Sequence, residues 1–260
     1  DRFDSAGLAV DQFEVKSADG ESIPYFLIRK KDTELTGKTP TILYGYGGFE
    51  ISLTPRYSAI SGKLWLERGG AYAIANIRGG GEFGPRWHKA ALKTNRQRAY
   101  DDFIAVASDL IKRQVTSAPH LGIMGGSNGG LLVGAAFTQR PDLFGAVVCQ
   151  VPLLDMYRYT KLLAGASWAA EYGDPEDPEM WKAISKYSPY QNVFKDRTYP
   201  NPFFLTSTKD DRVHPAHARK MVARMKEQGH NVFYYENTEG GHAAAANQSQ
   251  RARRYALEYV

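Results

Sequence analysis

The sequence predicts an α/β fold, with a mostly parallel central sheet and helices on both faces. Three observations predict it. Short apolar or β-branched runs alternate with helix-like segments along the chain. A glycine-framed serine, Gly125-Gly126-Ser127-Asn128-Gly129-Gly130, stands where one such run gives way to a helical pattern. Further on, an Asp-Asp pair and a histidine each follow a later strand-like run.

The elements follow in order. Phe13–Ser17 and Ile23–Arg29 flank the turn Ala18-Asp19-Gly20 and read as an opening hairpin. Pro40–Tyr46 and Ala71–Ile77 fit short buried strands. Ala99–Arg113 carries Phe103, Ile104, Ala107, Leu110 and Ile111 at helical spacing, an amphipathic helix against the sheet. Leu121–Gly125 is the next strand and Asn128–Gln139 the next helix. Phe144–Val151 is a strand, followed by an irregular region to about Pro202. Phe203–Ser207 is strand-like. Pro215–Gln228 is a helix, with Pro215 suited to its first turn and Ala218, Met221, Val222 and Met225 on one face. Val232–Glu236 is a late strand and Gln248–Tyr259 a closing helix.

The chain has 260 residues, 43% hydrophobic and 23% charged, enough for one sizeable core. The net charge of +5 is a weak field over such a domain, and no run of like charges forms a nucleic-acid arm. No partner nucleic acid is expected. The single cysteine, Cys149, excludes an internal disulfide and reads as a small buried hydrophobe. No stretch reaches the ~18 apolar residues of a membrane span. The N-terminus lacks a basic-then-apolar signal pattern, so a soluble, cytoplasmic protein is the expectation.

Gly-x-Ser-x-Gly places its serine on a sharp strand-to-helix turn. Gly125 and Gly129 let the chain pass without Cβ clashes. The helix start aims backbone N–H groups at the site, and the Asn128 N–H can meet a developing oxyanion. Ser127 is therefore the candidate nucleophile of an α/β-hydrolase fold. No Gly-Lys-Ser/Thr follows, so a phosphate-binding loop is not the expectation. Gly79-Gly80-Gly81-Glu82-Phe83-Gly84 leads into Pro85–His88 without a helical pattern and reads as a structured turn.

In this fold the chain order is serine, acid, histidine. His88 and His120 come too early. His214 and His217 have an H-x-x-H spacing, but no third ligand is evident, and they read as surface histidines at a helix start. No metal or other cofactor is expected. His230 lies in a polar turn. His242, in Glu239-Gly240-Gly241-His242 after the last strand, is the candidate base, its two glycines allowing the turn. Asp210 or Asp211 can hold its Nδ1–H, and spacing does not choose between them. The other is expected to cap the following helix.

Leu43–Phe49, Ala75–Gly84, Gly125–Gly130, Gln139–Gly145 and Asp210–Val213 closely resemble the prolyl oligopeptidase family of serine peptidases. The match runs from about Phe13 to the C-terminus. The resemblance implies Ser127 as nucleophile, His242 as general base and Asp210 as triad acid. It implies an oxyanion hole of the Tyr46 hydroxyl and the Asn128 N–H. Arg212 matches an arginine that binds a substrate carbonyl. Trp168, Tyr172, Phe49 and Val213 match the pocket for the residue before the cut bond. An aromatic slab such as Trp168 suits a flat pyrrolidine ring. A sister branch cutting after Lys or Arg resembles this one but with a carboxylate where Trp168 falls; Glu171 nearby reads as structural or rim.

Two departures stand out. The family's β-propeller has no room here, so residues 1-260 are expected to form a single catalytic domain whose cleft face is uncovered. That face should expose apolar side chains and favour self-association. Second, Ala243–Ala246 follows His242 where the family often has glycine, which should stiffen the loop. The expected reaction is acyl transfer on a short peptide after proline, with small esters as the alternative substrate.

Overall fold

Each strand run of the sequence finds a partner in one eight-stranded sheet of the computed structural model, which describes residues 3–260. β1 (Leu8–Lys16) and β2 (Ser22–Lys30) form the opening hairpin, paired from Leu8 opposite Lys30 to Lys16 opposite Ser22. β1 reaches five residues before Phe13, because its alternation is blurred there by an exposed Val10. β3 (Thr41–Tyr44), β4 (Ala71–Ala75), β5 (Leu121–Gly126), β6 (Ala146–Gln150), β7 (Pro202–Ser207) and β8 (Phe233–Asn237) complete it. The spatial order is β1-β2-β4-β3-β5-β6-β7-β8. The pairs from β4 to β8 are parallel, and β2 pairs antiparallel with β1 and β4. This is an α/β-hydrolase fold.

The helices α1 (Ala59–Leu64), α2 (Pro85–Lys89), α3 (Gln97–Lys112), α4 (Asn128–Gln139), α5 (Ala169–Tyr172), α6 (Pro178–Ile184), α7 (Ala216–Glu227) and α8 (Gln248–Glu258) lie between or after the strands. The step from β3 to β4 runs one way along the sheet, and the later steps run the other. Right-handed crossovers therefore put α1 on one face and α3, α4 and α7 on the other. α8 joins α1: Tyr259, just past its end, meets Ser61 Oγ at 3.0 Å and the Trp65 ring.

α3 buries Ala99, Tyr100, Phe103, Val106, Ala107 and Leu110; Ile104 and Ile111 are only partly covered. α4 is buried from Asn128 to Thr138 because it crosses the middle of the sheet. Two expectations need correction. The glycine-rich turn at 79–84 is followed by a short helix, α2, started by Pro85 after a left-handed Gly84. The stretch after β6 is not wholly irregular: α5, α6 and several 3-10 turns occupy it. They are too short to show a period in sequence.

The strand order reverses between β3 and β5. In an open α/β sheet the crevice beyond the carboxyl ends at such a reversal is where ligands bind. Tyr44 of β3 pairs with Met124 of β5, so the loops carrying Tyr46 and Ser127 leave the sheet side by side.

Candidate active site

The tight turn that the glycines allow is present at Ser127. Its backbone is left-handed, φ 58° and ψ −116°, between the end of β5 and the start of α4. A non-glycine residue held there stores roughly 1–3 kcal/mol of strain. The turn is pinned from outside, since Ser127 N–H donates to the Gln150 carbonyl of β6 at 2.9 Å. A Cβ on Gly125 would lie 2.3 Å from the Gly129 carbonyl oxygen, so only glycine lets strand and helix approach this closely. Asn128 is the first residue of α4, where backbone N–H groups have no partner within the helix.

Asp210 and His242, 32 positions apart, meet at the carboxyl edge. Asp210 Oδ2 lies 2.7 Å from His242 Nδ1. Its Oδ1 accepts from the Arg212 and Val213 N–H groups at 3.0 and 2.9 Å, fixing the carboxylate. With Nδ1–H given to the carboxylate, Nε2 is left as the acceptor. Asp211 is exposed and caps nothing; the start of α7 is served by His214, whose Nδ1 accepts from the Ala216 N–H at 2.9 Å. No hydrogen bond among the described residues joins Ser127 to His242. Such bonds often close only around substrate.

The histidine loop is built differently from its sequence reading. The left-handed residue is Ala244, φ 54°, and neither Gly240 nor Gly241 has a positive φ. Gly240 serves close approach instead: a Cβ there would sit 2.5 Å from the Ala245 nitrogen. Side chains hold the loop. The Asn237 carboxamide accepts from the Glu239 and Gly240 N–H groups, and Ser207 Oγ donates to the Gly240 carbonyl. From α8, Arg254 donates to the Ala243 carbonyl at 2.6 Å and Gln250 accepts from the Ala246 N–H.

Tyr46 is half-buried on the loop after β3. Burial, helped by the nearby Tyr44, holds its phenol above the ordinary value, so the hydroxyl stays a hydrogen-bond donor. Asn128 Nδ2 donates to the Tyr46 carbonyl at 2.7 Å, tying the two residues together. Arg212 is exposed, and its charge reaches Tyr46. Its carbonyl accepts from the Ala164 N–H, which brings in the turn Leu163–Trp168. Trp168 is partly buried against the core. Phe49, φ 54°, meets the buried Tyr172 edge-on at 5.8 Å, and Val213 is buried beside Asp210.

Glu171 takes the structural of its two expected places: it is buried, accepts from the Phe49 N–H at 2.9 Å and from Arg96 at 3.0 Å, and pairs with His88 at 2.7 Å. Two other features escaped the sequence reading. Arg96 is also buried, with a Gly47 and an Asn128 contact. His217 is a core residue whose Nδ1 accepts from the Leu154 and Asp155 N–H groups; burial pulls it down to about 4. A charged side chain in sequence carries no mark of the partner that will bury it.

A family model described as the prolyl oligopeptidase family matches residues 56–260. An uncharacterized peptidase of Sinorhizobium fredii is 64% identical over 259 residues, covering 100% of this chain and 36% of that protein. A prolyl endopeptidase of Elizabethkingia miricola is 43% identical over 253 residues, covering 96% of the chain and 36% of the relative. The solved structure of a post-proline cleaving enzyme from Rickettsia typhi superposes with a TM-score of 0.96 at 45% identity, covering 100% of this chain and 38% of that one. The chain thus spans little more than a third of the length of these relatives.

Proposed function

The chain belongs to the prolyl oligopeptidase family of serine peptidases, and from that premise we propose that it cleaves short peptides after proline through an acyl-enzyme. Ser127 Oγ attacks the carbonyl carbon while His242 Nε2 takes its proton. The Asn128 N–H and the Tyr46 hydroxyl receive the oxyanion. His242 then gives the proton to the leaving amine, and water releases the acyl group by the same steps. Asp210 holds the imidazole in the working tautomer. Arg212 binds a backbone carbonyl of the substrate, and Trp168, Phe49, Tyr172 and Val213 line the proline pocket.

The observation that carries this reading is the Asp210–His242 bond, made at the same edge of the sheet as a strained Ser127. The first test is labelling by a proline organophosphonate. Wild-type chain should take up one equivalent of phosphonate at Ser127 and lose its activity, and Ser127→Ala should take up none. Uptake elsewhere, or none in the wild type, refutes the site.

A second reading is hydrolysis of small esters. The same triad would serve it, because an ester leaving group needs less protonation than an amine. Matched proline amide and proline ester substrates separate the two; a rate confined to the ester removes the peptidase reading. Ile51, Phe83, Tyr157 and Leu163 are exposed on loops at the carboxyl edge of the sheet. They support self-association through that face. Sedimentation at rising concentration tests this, and a monomer throughout would count against it.

A further inference from the structure

Arg96 is the largest fully buried side chain, 1% exposed, and the mechanism above does not use it. Burial alone would pull its guanidinium down, but the Tyr100 and Tyr172 phenols and Glu171 hold it above its ordinary value, fully charged. Its Nη2 donates to the Gly47 carbonyl at 2.6 Å and to Asn128 Oδ1 at 2.9 Å. Its Nη1 donates to Glu171 Oε1 at 3.0 Å and to the Ala91 carbonyl at 3.4 Å. The plane also lies over the Tyr172 ring, 5.3 Å from its centre.

Apart from the Ala91 carbonyl, each hydrogen-bond partner leads to a group of the candidate site. Gly47 follows Tyr46. Asn128 Oδ1 also accepts from the Tyr172 hydroxyl at 2.6 Å, and Asn128 Nδ2 binds the Tyr46 carbonyl. Glu171 Oε1 also accepts from the Phe49 N–H. Both oxyanion donors and two pocket walls are therefore within one or two bonds of a single rigid fork. A lysine, a point charge on a flexible stem, cannot reproduce that geometry.

We propose that Arg96 is a positioning residue that sets the oxyanion hole and the adjoining pocket wall in register with Ser127. The proposal rests on the active-site reading above. Arg96 touches no reacting atom. The competing role is a plain structural ion pair with Glu171, and the two roles separate experimentally. Replacing both partners of a buried pair by neutral groups of similar size is often tolerated for stability, whereas removing one is not. In Arg96→Met with Glu171→Gln the buried charges are gone, and the glutamine still accepts from Phe49. The ties to Gly47 and Asn128 remain broken.

The experiment compares wild type, Arg96→Lys, Arg96→Met and the double variant, with thermal melts alongside. The substrate is a proline amide, and a proline aldehyde and the corresponding primary alcohol serve as inhibitors. The aldehyde binds by forming an Oγ–carbon bond to Ser127, its oxygen entering the oxyanion hole and the serine proton passing to His242; the alcohol fills the pocket without using the hole. The double variant should melt near the wild type yet keep a kcat about ten- to a hundredfold low. Aldehyde affinity should fall by a similar factor and alcohol affinity by less. Arg96→Lys should move the same way, so the test stands even if Arg96→Met does not fold. Recovery of kcat in the double variant, or equal losses for aldehyde and alcohol, overturns the proposal. A wild-type chain that neither cleaves the amide nor takes up the phosphonate overturns the active-site reading, and this inference with it.

Discussion

Replacing Asp210 by Asn should disable the site while leaving the fold in place. The carboxylate has two tasks on two oxygens. Oδ1 accepts two backbone N–H groups, at 3.0 and 2.9 Å, and Oδ2 faces His242 Nδ1 at 2.7 Å. An asparagine keeps one oxygen, and the two N–H groups claim it. Its NH2 is then turned toward Nδ1, which must become the acceptor. The imidazole proton moves to Nε2, the nitrogen that should take the serine proton. A triad with its histidine in the wrong tautomer loses about ten-thousandfold in kcat, about 5 kcal/mol in the barrier. Stability should change far less, by about 1 kcal/mol, since the backbone bonds survive. The assay is kcat on a chromogenic proline amide beside a thermal melt, with Asp211→Asn as the exposed control. A kcat for Asp210→Asn within tenfold of wild type, with an unchanged melt, would refute the reasoning.

Tyr46→Phe removes one oxyanion donor and should lower kcat about a hundred- to a thousandfold with KM little changed; a rise in KM alone would show a binding role instead. Trp168→Glu should raise the ratio of cleavage after Arg to cleavage after Pro about tenfold or more; an unchanged ratio in the two kcat/KM values would remove Trp168 from the pocket. His217 should make stability fall in acid. Its folded value, about 4, is below the ordinary 6.5, so between these pH values the unfolded chain takes a proton that the folded chain refuses. Stability is therefore full above pH 6.5 and declines toward pH 4, by about 3 kcal/mol at most. His217→Asn can still accept from Leu154 and Asp155 and should flatten this slope in urea titrations at pH 4.5 and 7; equal slopes would exclude His217 as the cause.

Periodicity made the sheet and its main helices readable, because strands buried between helix layers are continuous apolar runs and α3 repeats every three to four residues. Ser127 and His242 could be named in advance because each follows a strand end in a fixed chain order, whereas Asp210 was separated from Asp211 only by the family resemblance. What stayed hidden depends on contacts between distant segments. Arg96 and His217 look like surface residues until folding surrounds them. The histidine loop was read as a glycine turn, whereas Ala244 takes the left-handed conformation and Asn237, Gln250 and Arg254 fasten it.

The base hangs between two lightly covered elements. β8 is one of the two edge strands, with Phe233 exposed, and of α8 only Glu258 is buried. Segments with little apolar cover open at a lower free energy than the whole chain unfolds. On warming, the strand–helix unit should fray first, carrying the imidazole away while the nucleophile remains on its buried elbow. Heat should then quench turnover reversibly over a range of temperature in which far-ultraviolet circular dichroism still reports a nearly intact protein.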